Sequence, residues 1–301
     1  MTKDDRAIAI EGAGIVDGDI LETDIDIRGA VAIGHGKSGD VLRLRDGTVL
    51  KLFSAQTQRD IVVREFRALQ VIRSLGIRST DPIEMLSVAG RPAIRSSYVA
   101  GFQILDRVKR NPIGMTWALV RLAWQQAQLH AVRIDDGRLP GGKTVIADRI
   151  ATSCAGDRAI GIALARLEML PDGDHLCHGD LHLGNVVAAR GRWTIVDWAR
   201  ATAGTPASDA ARTQLLIRFG ASHFADRLVL IRALRWVSAY FYGVCYCAFT
   251  RTAPAQLRAW ELPLAVAWMQ GQDSYRAGPL ARLIERRTGQ SECRTKEPDV
   301  I

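Results

Sequence analysis

Long apolar runs are missing from this 301-residue chain. The longest uncharged apolar run, Trp236 to Phe249, has 14 residues, short of the ~20 that a membrane-spanning helix needs. The expectation is therefore a buried helix and no membrane partner. Met1 to Asp5 is followed by neither an apolar core nor a small-residue cleavage site, which points to a cytoplasmic protein. The five cysteines (Cys154, Cys177, Cys245, Cys247 and Cys293) are odd in number and show no CxxC spacing. They read as reduced thiols packed in a core. Blocks of five or six like charges are also absent: the formal net charge is +8, but the arginines are scattered, which argues against a nucleic-acid partner.

What remains is the composition of a structured protein, 48% apolar and 24% charged, so disorder is expected only at the ends. Up to about residue 100 short alternating segments are punctuated by Gly and Asp: Ile25 to Ile33, Asp40 to Leu44, Val49 to Phe53, Pro82 to Val88 and Pro92 to Val99. They predict antiparallel strands, interrupted by one helix from Arg59 to Leu75 with Val62, Phe66, Leu69 and Ile72 at helical spacing. After Gly101 the periods become helical: Trp117 to Val132, Thr144 to Leu170, Asp209 to Phe219, Phe224 to Phe249 and Gln256 to Gln270. One island of strand character, Asn185 to Asp197, lies among them. The pattern predicts an α+β chain: a β-rich lobe over 1–100, a helical lobe over 101–290 and a frayed tail over 291–301.

Gly34-His35-Gly36-Lys37-Ser38-Gly39-Asp40-Val41 is a G-x-G-x-x-G-x-V string. With 27 glycines, that spacing arises by chance about 0.2 times per chain, so the string alone also fits a glycine-rich hairpin. Its chemical interest is that glycines let backbone N–H groups approach phosphate oxygens. A Walker loop would need glycine where Val31 stands and a helix where Val41 to Leu44 alternates as a strand. A dinucleotide fingerprint would need the same helix. Lys51 follows within the apolar Val49-Leu50-Lys51-Leu52-Phe53, either on a solvated face or held inward, and Glu65, one of nine glutamates, is its candidate partner.

The sharpest signal is His178-Gly179-Asp180-Leu181-His182-Leu183-Gly184-Asn185 followed by Trp193-Thr194-Ile195-Val196-Asp197-Trp198. With six His, 23 Asp and only two Asn, a His, an Asp two later and an Asn five further on arise by chance about 0.003 times. Asp180 can accept a hydroxyl proton, while Asn185 and Asp197 are hard oxygen ligands suited to Mg²⁺. A hairpin of 186–190 with 193–197 would bring them together.

The set Gly34, Gly36, Gly39, Lys51, Glu65, His178 to Asn185 and Ile195 to Trp198 resembles the protein-kinase-like fold, and within it the aminoglycoside phosphotransferase and choline kinase branch. Gly179 and Trp198-Ala199 stand where protein kinases usually carry Arg and Phe-Gly. Gly204-Thr205-Pro206 leading to Asp209 also matches that branch. The resemblance covers roughly residues 30 to 220. It implies a two-lobed fold and a kinase that transfers the γ-phosphoryl group of ATP or GTP to a small hydroxylated acceptor. Lys51, held by Glu65, would pair the α- and β-phosphates, and Gly34, Gly36, Gly39 and Val41 would cover them. Asp180 would orient or deprotonate the hydroxyl, Asn185 and Asp197 would bind Mg²⁺, and Asp209 would brace the loop. Tyr98 and Val99 would present backbone to the base where the lobes join. His178 reads as a packed scaffold residue and His182 as a substrate contact or an exposed residue. Two features depart from the branch: the glycine spacing is better than usual, and Leu183 replaces the usual Pro.

A serine/threonine protein kinase and a non-catalytic nucleotide-binding scaffold are the alternatives. The missing Arg after His178 and the 11 residues from Asp197 to Ser208 count against the first, and the intact Lys51, Asp180, Asn185 and Asp197 against the second. Residues 210 to 301 carry a surplus of six positive charges, which favours a neutral or anionic acceptor over a polycationic aminoglycoside. Trp236, Tyr240, Tyr242 and Tyr246 fit either an acceptor site or, better, a core stripe.

Overall fold

A computed structural model of the chain describes residues 21–22, 25, 27–36, 39–134, 137–220, 229–270 and 274–289. Lys37, Ser38, Cys293 and the expected tail lie outside them. The described residues form two compact units. One takes those up to Val63 together with Pro82–Tyr98, and the other takes Arg64–Asp81 and everything from Val99 onward.

The first unit is a six-stranded sheet ordered β1-β5-β6-β4-β3-β2, made by β1 (Leu21–Glu22), β2 (Val31–Gly36), β3 (Gly39–Arg43), β4 (Thr48–Leu52), β5 (Pro82–Val88) and β6 (Arg91–Ser97). All pairs are antiparallel except β1 with β5. The expected strand Ile25 to Ile33 starts later than its apolar pattern, because Gly29 at φ 77° and the Ala30 N–H to Ile27 carbonyl bond make a turn first. Between β5 and β6, Ala89 and Gly90 both adopt positive φ, the two-residue turn whose twist suits a tight hairpin. Leu44, Leu50, Leu52, Leu86, Val88 and Ala93 form the core of this sheet. Arg95 ties its outer positions, donating to Glu84 at 2.7 Å and Asp46 at 2.5 Å.

Helix α1 (Arg59–Ser74) buries Val62, Leu69 and Ile72, as its spacing predicts. It ends where Gly76, at φ 67°, lets the N–H of Ile77 reach the carbonyl of Ile72.

The second unit contains β7 (Phe102–Gln103), α2 (Ile104–Arg110), α3 (Met115–Leu129), α4 (Gly142–Ala151), α5 (Asp157–Glu168), β8 (His175–Cys177), β9 (Val186–Ala189), β10 (Arg192–Ile195), β11 (Thr202–Gly204), α6 (Pro206–Phe219), α7 (Val229–Thr250), α8 (Pro254–Trp268) and α9 (Ser274–Thr288). Helix α6 packs on α7 and α8, α3 on α7, and α4 and α5 on α8. The predicted hairpin forms between β9 and β10, turning at Arg190 and Gly191, both at positive φ.

Three expectations need correction. The helical period from Thr144 to Leu170 is two helices, because the chain leaves α4 at Thr152 and Gly156 adopts an extended conformation before α5. The stretch Trp236 to Phe249 is only half buried: Tyr242 and Tyr246 are in the core, whereas Trp236, Val237, Tyr240, Val244 and Phe249 are exposed. Among the described cysteines only Cys177 is buried, with Cys154 exposed.

Candidate active site

In the second unit the chain from β8 to α6 doubles back on itself around a single carboxylate. Asp209, in the first turn of α6 and 2% exposed, accepts four hydrogen bonds. Its Oδ1 takes the N–H of Gly179 at 2.7 Å, and its Oδ2 takes the N–H of His178 at 3.0 Å, Gln126 Nε2 at 2.9 Å and His130 Nε2 at 3.0 Å. Behind these, the Tyr246 hydroxyl bonds to His130 Nδ1 at 2.6 Å and the Tyr242 hydroxyl donates to Gln126 Oε1. Burial pushes the Asp209 carboxyl up, but the hydrogen bond from His130 and the charges and N–H groups beside it outweigh burial and bring it to about 2. His130, Cys177 and Asp209 lie close enough to hold a metal. With both Asp209 oxygens and both His130 nitrogens already bonded, however, the cluster is a hydrogen-bonded brace.

The brace fixes a loop whose backbone only glycine permits. Gly179 sits at φ 76°, and a Cβ there would lie 2.3 Å from the Arg200 carbonyl oxygen. Next to it, His178 is fully buried. The Asp180 N–H donates to its Nδ1 at 3.2 Å, so its Nε2 carries the proton and donates to the Val196 carbonyl at 3.1 Å. His178 is thus the scaffold residue expected. Asn185 closes the loop, its Nδ2 donating to the Asp180 carbonyl at 3.0 Å and its carbonyl accepting from the Val196 N–H at 3.0 Å. Asp197 follows β10 in the left-handed region, at φ 65°, a conformation that aspartate adopts more readily than most non-glycine residues. The strand end is pinned by Trp198, whose indole donates to Ser79 Oγ at 2.8 Å while Ser79 donates to the Ile195 carbonyl at 2.9 Å. His182 is half buried, and its Nδ1 accepts the Gly184 N–H at 3.0 Å, which opens the short turn Leu183–Asn185. Burial lowers its pKa.

The carboxylate of Asp180 is surrounded by residues that sequence reasoning missed. Arg212 of α6 reaches its Oδ1 at 3.5 Å and Arg200 its Oδ2 at 4.0 Å. Arg212 is 6% exposed, and its guanidinium lies 4.1 Å from the centre of the Trp268 ring. Burial, together with Arg200 and Arg149, lowers its pKa to about 9 against the pull of Asp180.

In the first unit the glycine string forms the β2–β3 hairpin, pairing Gly34 with Val41 and Gly36 with Gly39. Gly39, at φ 136°, admits no side chain, since a Cβ would lie 2.1 Å from the Leu52 carbonyl oxygen. Lys51 of β4 pairs with Val41 on one side and Ile94 on the other, and its Nζ lies 5.3 Å from the Phe53 ring centre. Gly34, Val41 and Lys51 are therefore neighbours across three strands. Tyr98, just beyond β6, carries the Arg43 guanidinium 4.3 Å over its ring, and at Val99 the chain returns to the second unit. Glu65, on the part of α1 that belongs to the second unit, is a buried carboxylate, 4% exposed.

A family model for the phosphotransferase enzyme family matches residues 29–260. No curated protein matches the chain in sequence. Solved structures match in fold. An aminoglycoside-3'-phosphotransferase of type VIII superposes with a TM-score of 0.55 at 18% identity, covering 79% of this chain and 93% of that one. The amicoumacin kinase bound to AMP-PNP and Ca²⁺ gives 0.55 at 12% identity over 90% and 91%. A choline kinase from Cryptosporidium parvum gives 0.55 at 10% identity over 86% and 89%.

Proposed function

Because the chain belongs to the phosphotransferase enzyme family, we propose that it transfers the γ-phosphoryl group of ATP or GTP to a hydroxyl of a small acceptor, with Asp180 handling the hydroxyl proton. The observation that carries this reading is the grip of Asp209 on the N–H groups of His178 and Gly179, which presents Asp180 on a loop with a fixed backbone. In the step itself the acceptor oxygen bonds to the γ-phosphorus and the bond from that phosphorus to the β,γ-bridging oxygen breaks. Its electron pair stays on the nucleoside diphosphate, and the hydroxyl proton passes to Asp180 and then to water. Phosphoryl transfer asks the protein chiefly for position and charge neutralisation.

The donor set fits Mg²⁺. Asp197 offers a carboxylate, and Asn185, whose amide nitrogen is engaged by the Asp180 carbonyl, offers its side-chain oxygen. Bound there, Mg²⁺ would neutralise phosphate charge. Lys51 would meet the α- and β-phosphates and be held by Glu65, Gly34, Gly36, Gly39 and Val41 would cover the phosphates, and the backbone of Tyr98 and Val99 would bind the base. On this reading residues 1–100 are the nucleotide-binding lobe and 101–290 hold the acceptor, as a cytoplasmic enzyme working on small metabolites.

Calorimetry tests the assignment. Lys51→Ala and Asp197→Ala are expected to weaken Mg²⁺–AMP-PNP binding at least tenfold, and wild-type affinity in both variants would remove these residues from the phosphate and metal sites.

A further inference from the structure

The charges around Asp180 do not balance. Arg212 and Arg200 approach its two oxygens at 3.5 Å and 4.0 Å. Arg149, in the last turn of α4, is close enough to feel Asp180, Arg200 and Arg64. Asp180 is an acid that acts on both Arg149 and Arg212, and its two oxygens already meet the guanidinium groups of Arg212 and Arg200, so arginines outnumber the carboxylate they share. Among the described residues Arg149 makes no hydrogen bond or ion pair, and the buried Nε of Arg212 has no hydrogen-bond partner. Arg212 contacts both Asp180, at 3.5 Å, and the face of Trp268, 4.1 Å from its ring centre.

Such a surplus is expensive in a half-buried site. Burial and mutual repulsion lower the pKa of Arg149 to about 10 and that of Arg212 to about 9, with Asp180 opposing both. Guanidinium groups left with open donors are suited to carboxylate and phosphate, which they bind in a planar, two-point geometry. A polycation would meet repulsion from all three.

Resting on the kinase reading of Asp180, we infer that the acceptor is an anion: a small hydroxylated molecule carrying its own carboxylate or phosphate, gripped by Arg149 and Arg212 while its hydroxyl faces Asp180. The arginines come from α4, the loop after β10, and α6, and Trp268 from α8. All belong to the second unit, whereas the glycine hairpin and Lys51 belong to the first. The nucleotide's own phosphates are the competing anion, so the test is run with the nucleotide in place.

Inorganic phosphate is titrated calorimetrically into the full chain saturated with Mg²⁺–AMP-PNP. Phosphate should bind the wild type, bind at least tenfold more weakly to Arg149→Gln and Arg212→Gln, and recover most of its affinity in Arg149→Lys, a variant that keeps the charge and guards against misfolding. It should bind Asp180→Asn more tightly, because a repelling charge has gone. Equal affinity in wild type and Arg149→Gln, no phosphate binding to the nucleotide complex, or tighter binding of the polycation streptomycin than of phosphate would each overturn the inference. The kinase reading fails separately. If Mg²⁺–AMP-PNP itself does not bind, that reading falls, while phosphate uptake dependent on Arg149 would still uphold the anion site.

Discussion

Asp180 and Asp209 are the same residue type in one unit, and their neighbours give them different work. Asp209 spends both oxygens on four N–H donors, while the oxygens of Asp180 face the side chains of Arg200 and Arg212. The depressed pKa of Asp209 carries a stability consequence with a definite sign. Its folded value, about 2, lies below the ~3.9 of an unfolded aspartate. The stabilisation is therefore complete above about pH 4 and is lost as pH falls through the folded value, on the order of 2 kcal/mol in all. Asp209→Asn should unfold at lower denaturant at pH 7 and show a flatter acid limb between pH 5 and 2. An unchanged midpoint with an unchanged acid limb would mean that the brace carries no stability.

The residues that sequence made legible are those that are rare. With two asparagines and six histidines in the chain, the spacing of His178, Asp180 and Asn185 stands out, and Asp209 followed from the same resemblance. Arg149, Arg200 and Arg212 are three of 34 arginines. Only the packing of α4, α6 and the loop after β10 singles them out. The same holds for Gln126 and His130, which sit on α3 and at its C-terminal end, about 80 residues before the carboxylate they contact.

Among the elements, strands β3 to β6 lie within about two residues of the segments their pattern predicts, because Gly, Asp and Pro mark their ends, whereas β2 starts six residues after Ile25. Strand β4 is one instance: Asp46 accepts the Thr48 N–H at 2.8 Å and Gly47 adopts φ 82° just before it. The two-residue β7 and three-residue β8 and β11 were missed, since so short a strand has no period to read. The run Trp236 to Phe249 predicts a buried helix although α7 buries only one side of it, because a run without charge cannot show which face turns inward. The β2–β3 hairpin offers a test at this scale. Gly39→Ala should be destabilising by about 2–4 kcal/mol, combining backbone strain with a clash against the Leu52 carbonyl. It should also weaken Mg²⁺–nucleotide binding. Gly90→Ala, with open space at its Cβ but φ 74°, should cost only about 1 kcal/mol and leave the nucleotide affinity alone. Equal effects of the two substitutions on nucleotide affinity would remove the glycine hairpin from the phosphate site.

At the scale of the whole molecule the kinase reading divides its machinery between two compact units, with the glycine hairpin and Lys51 in one and Asp180, Asn185, Asp197 and the arginines in the other. The chain's excess of positive charge, +8 overall, thus acquires a local meaning beside Asp180. Removal of Mg²⁺ by a chelator should abolish both nucleotide binding and turnover, because several phosphate charges would be left against too few cations. Retention of full nucleotide affinity without the metal would contradict the assignment of Asn185 and Asp197.

The central claim is that Asp180 acts on the acceptor hydroxyl and not on the nucleotide, and a single comparison on Asp180→Asn tests it most directly: steady-state turnover, or basal ATP hydrolysis before an acceptor is in hand, against Mg²⁺–nucleotide affinity. Asparagine keeps the shape and one oxygen but cannot take the proton. The account predicts turnover lower by ~10²–10⁴, about 3–5 kcal/mol, as for a positioned general base, with nucleotide affinity nearly unchanged. Turnover near that of the wild type, or loss of nucleotide binding along with turnover, would contradict it.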